Sequence, residues 1–78
     1  MNNVFRKRFD GPRLTREEAE RQGRATRLAY EALGRPEAAM AFLNGHDAAL
    51  AGRPIDLAVA SAAGLLAVER AIAALNRD

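Results

Sequence analysis

The stretch Leu50-Ala51-Gly52-Arg53-Pro54-Ile55-Asp56-Leu57 predicts a sharp corner between two helical segments. Gly52 can end a helical turn with a positive φ, and Arg53, because it precedes proline, is biased towards an extended backbone. Pro54 suits the first residue of a new helix, where the charge of Asp56 favours the positive end of the helix dipole. The apolar residues placed to pack on both sides of this predicted corner are Leu50, Ile55 and Leu57.

The composition around this corner predicts one small domain with few large core residues. The chain has 78 residues, of which 49% are hydrophobic, but 18 are alanine and, beyond Met1, 19 are large apolar residues. Burial of large apolar side chains drives folding, so a chain with so few gains stability from a partner. We therefore expect association with a second copy or with another protein.

Other features of the composition exclude several classes of protein. The chain contains no cysteine, which excludes a disulfide framework, a thiolate nucleophile and a cysteine zinc site. No apolar run approaches the roughly 18 residues of a membrane span, and the basic start of the chain lacks the apolar segment of an export signal. We predict a cytoplasmic protein.

A capping box, Thr15-Arg16-Glu17-Glu18, predicts a first helix that runs from Arg16 to Leu33 and ends at Gly34. Its second half has an apolar stripe with helical spacing, whereas its first half is mostly polar and contains Gly23. We expect the first half to project from the core or to contact another chain. The stripe consists of Ala25, Leu28, Ala29, Ala32 and Leu33.

Two short helices and one long helix are predicted after Gly34. The second helix starts at Pro36 and stops at Asn44-Gly45, and Asp47 can cap the turn that follows. The third runs from Pro54 to about Ala60, and Ser61 then caps a last helix over residues 62–76. The predicted buried face of the second helix is Ala39, Met40, Phe42 and Leu43.

The last helix carries the clearest apolar seam, at Leu65, Val68, Ile72 and Leu75, which Leu66 and Ala73 widen. Its predicted solvent-facing residues are Glu69, Arg70 and Arg77. No stretch alternates convincingly with the period of two that is typical of a strand. The prediction is an all-α domain of four helices, two long and two short, that dimerises.

Charge is distributed unevenly along the chain. Residues 1–27 contain eight basic and four acidic residues, whereas residues 28–78 have a net charge of −2. We interpret residues 1–13, which contain Phe5, Phe9 and the break Gly11-Pro12, as a flexible basic arm before a helical domain of residues 14–78. The basic region is either a solvated surface or a contact with nucleic acid or with an acidic face of another protein. The candidate phosphate contacts are Arg6, Lys7, Arg8, Arg13 and Arg16.

Residue types that carry catalysis are not grouped in this sequence. His46 is the single histidine, and its place beside a glycine turn is typical of an exposed loop residue. Ser61 suits a helix cap better than a nucleophile, and no metal-ligand spacing or glycine-rich phosphate loop is present. We expect no catalytic residue, no metal, no cofactor and no enzymatic activity.

From Leu14 to Leu75 the order of these signals resembles the toxin-binding domain of the Xre/MbcA/ParS antitoxins, which are bacterial partners of RES-domain toxins. Residues 14–19 and 36–43 carry part of the resemblance. The strongest match, over residues 50–57, resembles the family's leucine–glycine–arginine–proline–leucine–aspartate corner, and Gly64 and Val68 follow it at the family's places. Phe42 stands where the family usually has tryptophan.

This resemblance implies a protein-binding module, often dimeric, that binds and inhibits a RES-domain, NAD-consuming toxin. In the family, the last helices and the C-terminal tail contact the toxin and help to block its NAD-consuming site. Two alternatives remain open: a nucleic-acid-binding accessory protein that uses residues 1–27, and a homodimeric scaffold without a toxin partner. The predicted partner-binding residues are Arg53, Arg70, Asn76, Arg77 and Asp78.

Overall fold

The computed structural model describes residues 13–75, which form four α-helices joined by short connections. The helices are α1 (Arg16–Leu33), α2 (Pro36–Asn44), α3 (Pro54–Ala60) and α4 (Ala62–Leu75). α1 contacts each of the other three, whereas α2 and α4 do not touch. The predicted all-α class, with two long and two short helices, is confirmed. Within residues 13–75, β-type pairing is limited to one isolated bridge.

Local hydrogen bonds set both ends of α1. The Thr15 hydroxyl accepts a hydrogen bond from the Glu18 backbone N–H at 3.0 Å, and the Glu18 carboxylate accepts one from the Thr15 backbone N–H at 2.8 Å. This reciprocal pair is the predicted capping box. At the other end, Gly34 takes a left-handed conformation, with φ 76°, and its N–H donates to the carbonyl of Tyr30. The predicted bounds of α1 are therefore confirmed.

The turn before the corner differs from the prediction for Gly52. The left-handed residue is Ala51, with φ 61°, and not Gly52. Asp47 and Gly52 exchange backbone hydrogen bonds of 2.9 and 3.3 Å, and the Asp47 carboxylate accepts one from the N–H of Leu50 at 3.1 Å. These bonds close the turn around residues 48–51, so the chain must reverse before Gly52. The residue that takes the left-handed conformation is therefore an alanine, Ala51, and this conformation costs about 1 kcal/mol of stability.

The predicted corner itself is confirmed. Arg53 is extended, with φ −81° and ψ 128°, α3 begins at Pro54, and Asp56 lies in its first turn. The guanidinium of Arg53 donates to the side-chain oxygen of Asn44 at 3.2 Å and lies 3.6 Å from the carboxylate of Asp56. Arg53 thus links the end of α2 to the start of α3. As predicted, three apolar residues of this stretch pack against the core: Leu50, Ile55 and Leu57.

A single residue, Ser61, separates α3 from α4. Its backbone is extended, and its hydroxyl accepts a hydrogen bond from the N–H of Gly64 at 2.9 Å, so it caps α4 as predicted. The two helices approach closely at Gly64, where an added Cβ would overlap the carbonyl oxygen of Leu57. Glycine is therefore required at this position for the close approach of α3 and α4.

Each helix contributes one pair of buried residues, spaced four positions apart, to the core. This spacing places both members of a pair on one side of their helix. Half of these residues are alanine, so the helices can approach closely, and the largest fully buried side chains are Leu43, Val68 and Pro54. The pairs are Ala25 with Ala29, Ala39 with Leu43, Pro54 with Ala58, and Val68 with Ile72.

Several residues predicted to be buried are exposed instead. Met40, Leu66 and Leu75 have exposed fractions of 49%, 47% and 50%, and Ala73 is also exposed. At about 100° per residue, Leu66 lies roughly 200° around α4 from Val68, which places it on the opposite side of the helix. Met40 lies about 100° around α2 from the buried Ala39, at the edge of the buried side of the helix. Leu75 lies on the seam side but at the end of α4, beyond the last buried pair.

Arg21 holds the polar first half of α1 against α3. The prediction that this half projects from the core is therefore wrong, whereas its contact with another chain stays a prediction. Arg21 donates from Nε to the carbonyls of Ala58 and Val59, at 3.1 and 3.2 Å, and from Nη2 to the carbonyl of Val59 at 2.6 Å. These carbonyls lie at the end of α3, where the helix supplies no donors of its own. One turn later, Nε of Arg24 donates to Glu69 at 2.6 Å. Glu69 therefore faces α1. The prediction that it faces solvent is wrong.

Replacing Arg21 with alanine should lower the free energy of unfolding by about 1–3 kcal/mol, because two helix-end carbonyls lose a charged donor. Urea unfolding followed by circular dichroism measures this loss. Arg27→Ala is the matched control, since Arg27 is exposed on the same helix and its loss should cost less than about 0.5 kcal/mol. Equal effects of the two variants would show that Arg21 does not hold α3.

Some predictions concern residues outside the described part of the chain. The arm, with Phe5 and Phe9, belongs to these. So do the candidate phosphate contacts Arg6, Lys7 and Arg8 and the candidate partner contacts Asn76, Arg77 and Asp78.

Candidate protein-binding surface

The side of α4 opposite its buried pair carries little charge. Ala63, Leu66, Arg70 and Ala74 follow one another at intervals of three or four residues, and all four are exposed. This spacing places them in one row along the helix, which we call the outer face of α4. Arg70 is the single charged residue in the row. Low charge is typical of the buried centre of a protein interface, and arginine is enriched in interfaces.

Two hollows lie along the seam between α1 and α4. The first, of about 290 Å³, lies nearer the starts of both helices, and the second, of about 360 Å³, lies nearer their ends. The two helices therefore run side by side in the same direction, and the Arg24–Glu69 ion pair lies between the hollows. The first hollow is lined by Glu17, Glu20, Arg21, Arg24, Ala62 and Leu65. The second is lined by Arg24, Leu28, Glu31, Ala32, Glu69, Ile72 and Ala73.

The two predicted partner-binding arginines within residues 13–75 lie in different settings. Arg53 is half exposed and already bonded to Asn44 and close to Asp56. Arg70 is exposed on the outer face of α4 and makes no hydrogen bond or ion pair to another described side chain. Arg70 can therefore bind a partner without first losing a hydrogen bond or ion pair to a side chain of residues 13–75.

The basic region offers fewer free cations than its composition indicates. Of the candidate phosphate contacts, Arg13 and Arg16 are described, and both are exposed. Two further arginines of this region are occupied, since Arg21 binds carbonyls of α3 and Arg24 binds Glu69. An arginine that holds an internal partner must give it up to bind a phosphate. The nucleic-acid alternative stays a prediction, because its other candidate contacts, residues 6–8, lie outside the described part of the chain.

No group of three or more histidine, cysteine, aspartate or glutamate side chains in residues 13–75 could hold a metal ion. His46 is exposed in the turn after α2, where it was expected. Ser61 is occupied as the cap of α4. The expectation that the chain is not an enzyme stays a prediction.

Sequence reasoning missed two features of these surfaces, for different reasons. The exposure of Leu66 could have been found, because its angular distance from Val68 on a helical wheel already separates it from the seam. The role of Arg21 could not, because the carbonyl that it contacts in α3 lies 37 residues further along the chain. Contacts of this kind depend on how helices pack and leave no local pattern.

In comparisons with known proteins, no family model, no curated protein and no solved structure matches this chain. The resemblance to the antitoxin domain therefore stays a prediction. As to membranes, none of the helices within residues 13–75 combines the length and the apolarity that a membrane-spanning helix needs.

Proposed function

We propose that this chain is an antitoxin-type binding module that associates with a RES-domain, NAD-consuming toxin in the bacterial cytoplasm and inhibits it. The observation that carries the proposal is the outer face of α4, where Leu66 is 47% exposed beside a single arginine. The motifs from Leu14 to Leu75 indicate the class of partner, since they resemble the toxin-binding domain of the Xre/MbcA/ParS antitoxins.

Each part of the outer face suits contact with a protein. Burying the exposed part of Leu66 would remove apolar surface from water, at about 25 cal/mol per Å². Arg70 supplies donors for a carboxylate or a carbonyl of the partner, and arginine is enriched among the residues that dominate binding energy. Ala63 and Ala74, which have short side chains, let a partner approach the helix closely.

Inhibition in this proposal is steric, and the chain supplies no chemistry of its own. A helix presented at the mouth of the toxin's NAD-consuming site would exclude the dinucleotide. Val68 and Ile72 anchor α4 to the core from the opposite side. The outer face is therefore held in place before binding, which reduces the entropy that binding has to overcome.

Replacing Leu66 with aspartate or Arg70 with glutamate should weaken binding of a RES-domain toxin encoded beside this chain by about tenfold or more. Aspartate would bring a carboxylate into an apolar contact, and glutamate would reverse the charge offered to the partner. Isothermal titration calorimetry measures the affinity, and NAD consumption by the toxin measures the inhibition.

Two variants elsewhere on the surface are matched controls for this experiment. Met40→Asp places the same charge at a side chain of similar exposure, 49% against 47% for Leu66. Arg27→Glu reverses an exposed arginine on α1. If all four variants bind like the natural sequence, the outer face of α4 is not the interface. If the natural sequence itself does not bind, the antitoxin proposal fails.

Self-association is part of the same proposal. Leu14, Tyr30 and Leu75 are large apolar side chains that remain exposed outside the outer face of α4. They leave surface for a second copy while α4 contacts a toxin. Light scattering of the free chain should give twice the 8.4 kDa of one copy, whereas a single-chain mass would contradict the dimer.

A further inference from the structure

We propose that residues 4–9 of the same chain lie along the seam between α1 and α4, with Phe9 in the first hollow and Phe5 in the second. This inference goes beyond the proposed function and does not depend on it, since it concerns the free chain. Three properties of the seam and of the sequence support it: the spacing of the hollows, the reach of the chain and the charges along the seam.

The spacing of the two phenylalanines matches the spacing of the two hollows. Glu20 and Leu28, which line the first and second hollow on α1, are eight residues apart, as are Leu65 and Ala73 on α4. Eight residues of helix span about 12 Å. Phe5 and Phe9 are four residues apart, which in an extended segment is about 13 Å. In such a segment both rings lie on the same side, because side chains alternate.

The chain is long enough to bring Phe5 and Phe9 to the seam, and the segment can run along it in one direction, with Phe9 at the first hollow and Phe5 at the second. The described chain starts at Arg13, four residues before Glu17, which lines the first hollow. The phenylalanine nearer to Arg13 in the sequence, Phe9, therefore belongs there. Eight residues separate Phe5 from Arg13 and span up to about 26 Å. The stretch of α1 from its start to Leu28 is about 18 Å long. Gly11-Pro12, a dipeptide typical of turns, stands where the chain would have to reverse.

The charges are complementary as well. Residues 6–8 are Arg-Lys-Arg, and the carboxylates of Glu17, Glu20 and Glu31 line the hollows without an ion pair inside residues 13–75. The guanidinium groups of Arg21 and Arg24 also border the seam, but both are held by internal acceptors. The apolar residues that line the hollows include Leu28, Ile72 and Leu65. A basic segment with two aromatic side chains fits this surface.

Disulfide trapping tests the proposal cleanly, because the natural chain has no cysteine. Asn3 lies two residues before Phe5, so in an extended segment its side chain is on the same side as the two rings. Asn3→Cys combined with Ala73→Cys should form an intramolecular disulfide at least about tenfold faster than Asn3→Cys combined with Ala74→Cys. Ala73 lines the second hollow, whereas Ala74 is the next residue and lies on the outer face of α4. Both are exposed alanines. The two cysteine pairs therefore differ in the side of α4 on which the second cysteine lies, and hardly in residue type or in distance along the chain.

A second variant tests whether the aromatic rings hold the segment. Adding Phe5→Ser and Phe9→Ser to the Asn3–Ala73 cysteine pair should bring its rate of disulfide formation down to that of the Asn3–Ala74 pair. These substitutions precede α1, and circular dichroism should show unchanged helix content. Equal rates for the two original pairs would overturn the proposal, and so would a preference that survives loss of both rings. A disulfide between two chains on a non-reducing gel would overturn docking within one chain. None of these measurements uses a toxin, so they are independent of the antitoxin test.

Discussion

Gly64→Ala should destabilise the protein by about 3 kcal/mol or more, because the added Cβ would overlap the backbone of α3. The atoms in its way are the carbonyl oxygen of Leu57 and the carbonyl carbon, which would lie 2.8 Å away, and the Ser61 hydroxyl, at 3.3 Å. A backbone group cannot rotate aside as a side chain can, so α3 and α4 would have to separate. Urea unfolding followed by circular dichroism measures the loss.

Gly23→Ala is the matched control, with an expected effect of opposite sign. Gly23 lies within α1, and a Cβ built on it meets nothing within 4 Å. Alanine there should raise the free energy of unfolding by about 0.5–1 kcal/mol, because glycine loses more backbone entropy in a helix. A Gly64→Ala variant as stable as the natural chain would refute the close approach of α3 and α4.

Leu43→Ala should lower the free energy of unfolding by about 2–5 kcal/mol, since it would leave a cavity in a core with few large side chains. Leu43 is 1% exposed and is among the three largest fully buried side chains. Chains of 78 residues are typically stable by about 4–12 kcal/mol. The variant should therefore populate the unfolded state measurably in mild urea, and a chemical melt gives the size of the change.

Met40→Ala on the same helix is the comparison for this variant. Its side chain is 49% exposed, so its loss should change stability by less than about 0.5 kcal/mol. The sequence pattern of α2 predicts both residues on the buried face, whereas the structure separates them. If the two substitutions cost the same, the packing of α2 against α1 and α3 is not as described.

The bounds of the helices could be predicted because the signals that set them are local. Thr15 and Glu18 are three residues apart, and Pro54 acts on its own first turn. A residue that caps or breaks a helix does so through atoms within about one turn, which sequence inspection covers. Ala51 is the exception at the corner. The bridge between Asp47 and Gly52 determines which residue becomes left-handed, and that bridge leaves no pattern of its own.

The candidate binding surface was less accessible to sequence reasoning. The apolar stripe of α4 is wider than one neighbouring helix can cover, and composition does not say which part is covered. The apolar pattern places Leu66 on the seam, yet Leu66 lies on the side that no described helix covers, and a closer reading of the helical angles would have separated it from Val68. Glu69 is predicted to face solvent, yet it pairs with Arg24. This second error arises because the direction from which α1 approaches α4 is a property of the assembled helices.

The sequence by itself determined the helical class, the four segments, their caps and the corner at Pro54, since each depends on residues that are neighbours in the chain. The tertiary structure alone decided that Arg21 closes the end of α3, that one pair of residues per helix forms the core, and that Leu66 and Arg70 are left exposed together. The physical reason is that burial and long-range hydrogen bonds require two segments to meet, and the geometry of that meeting is encoded in no single segment.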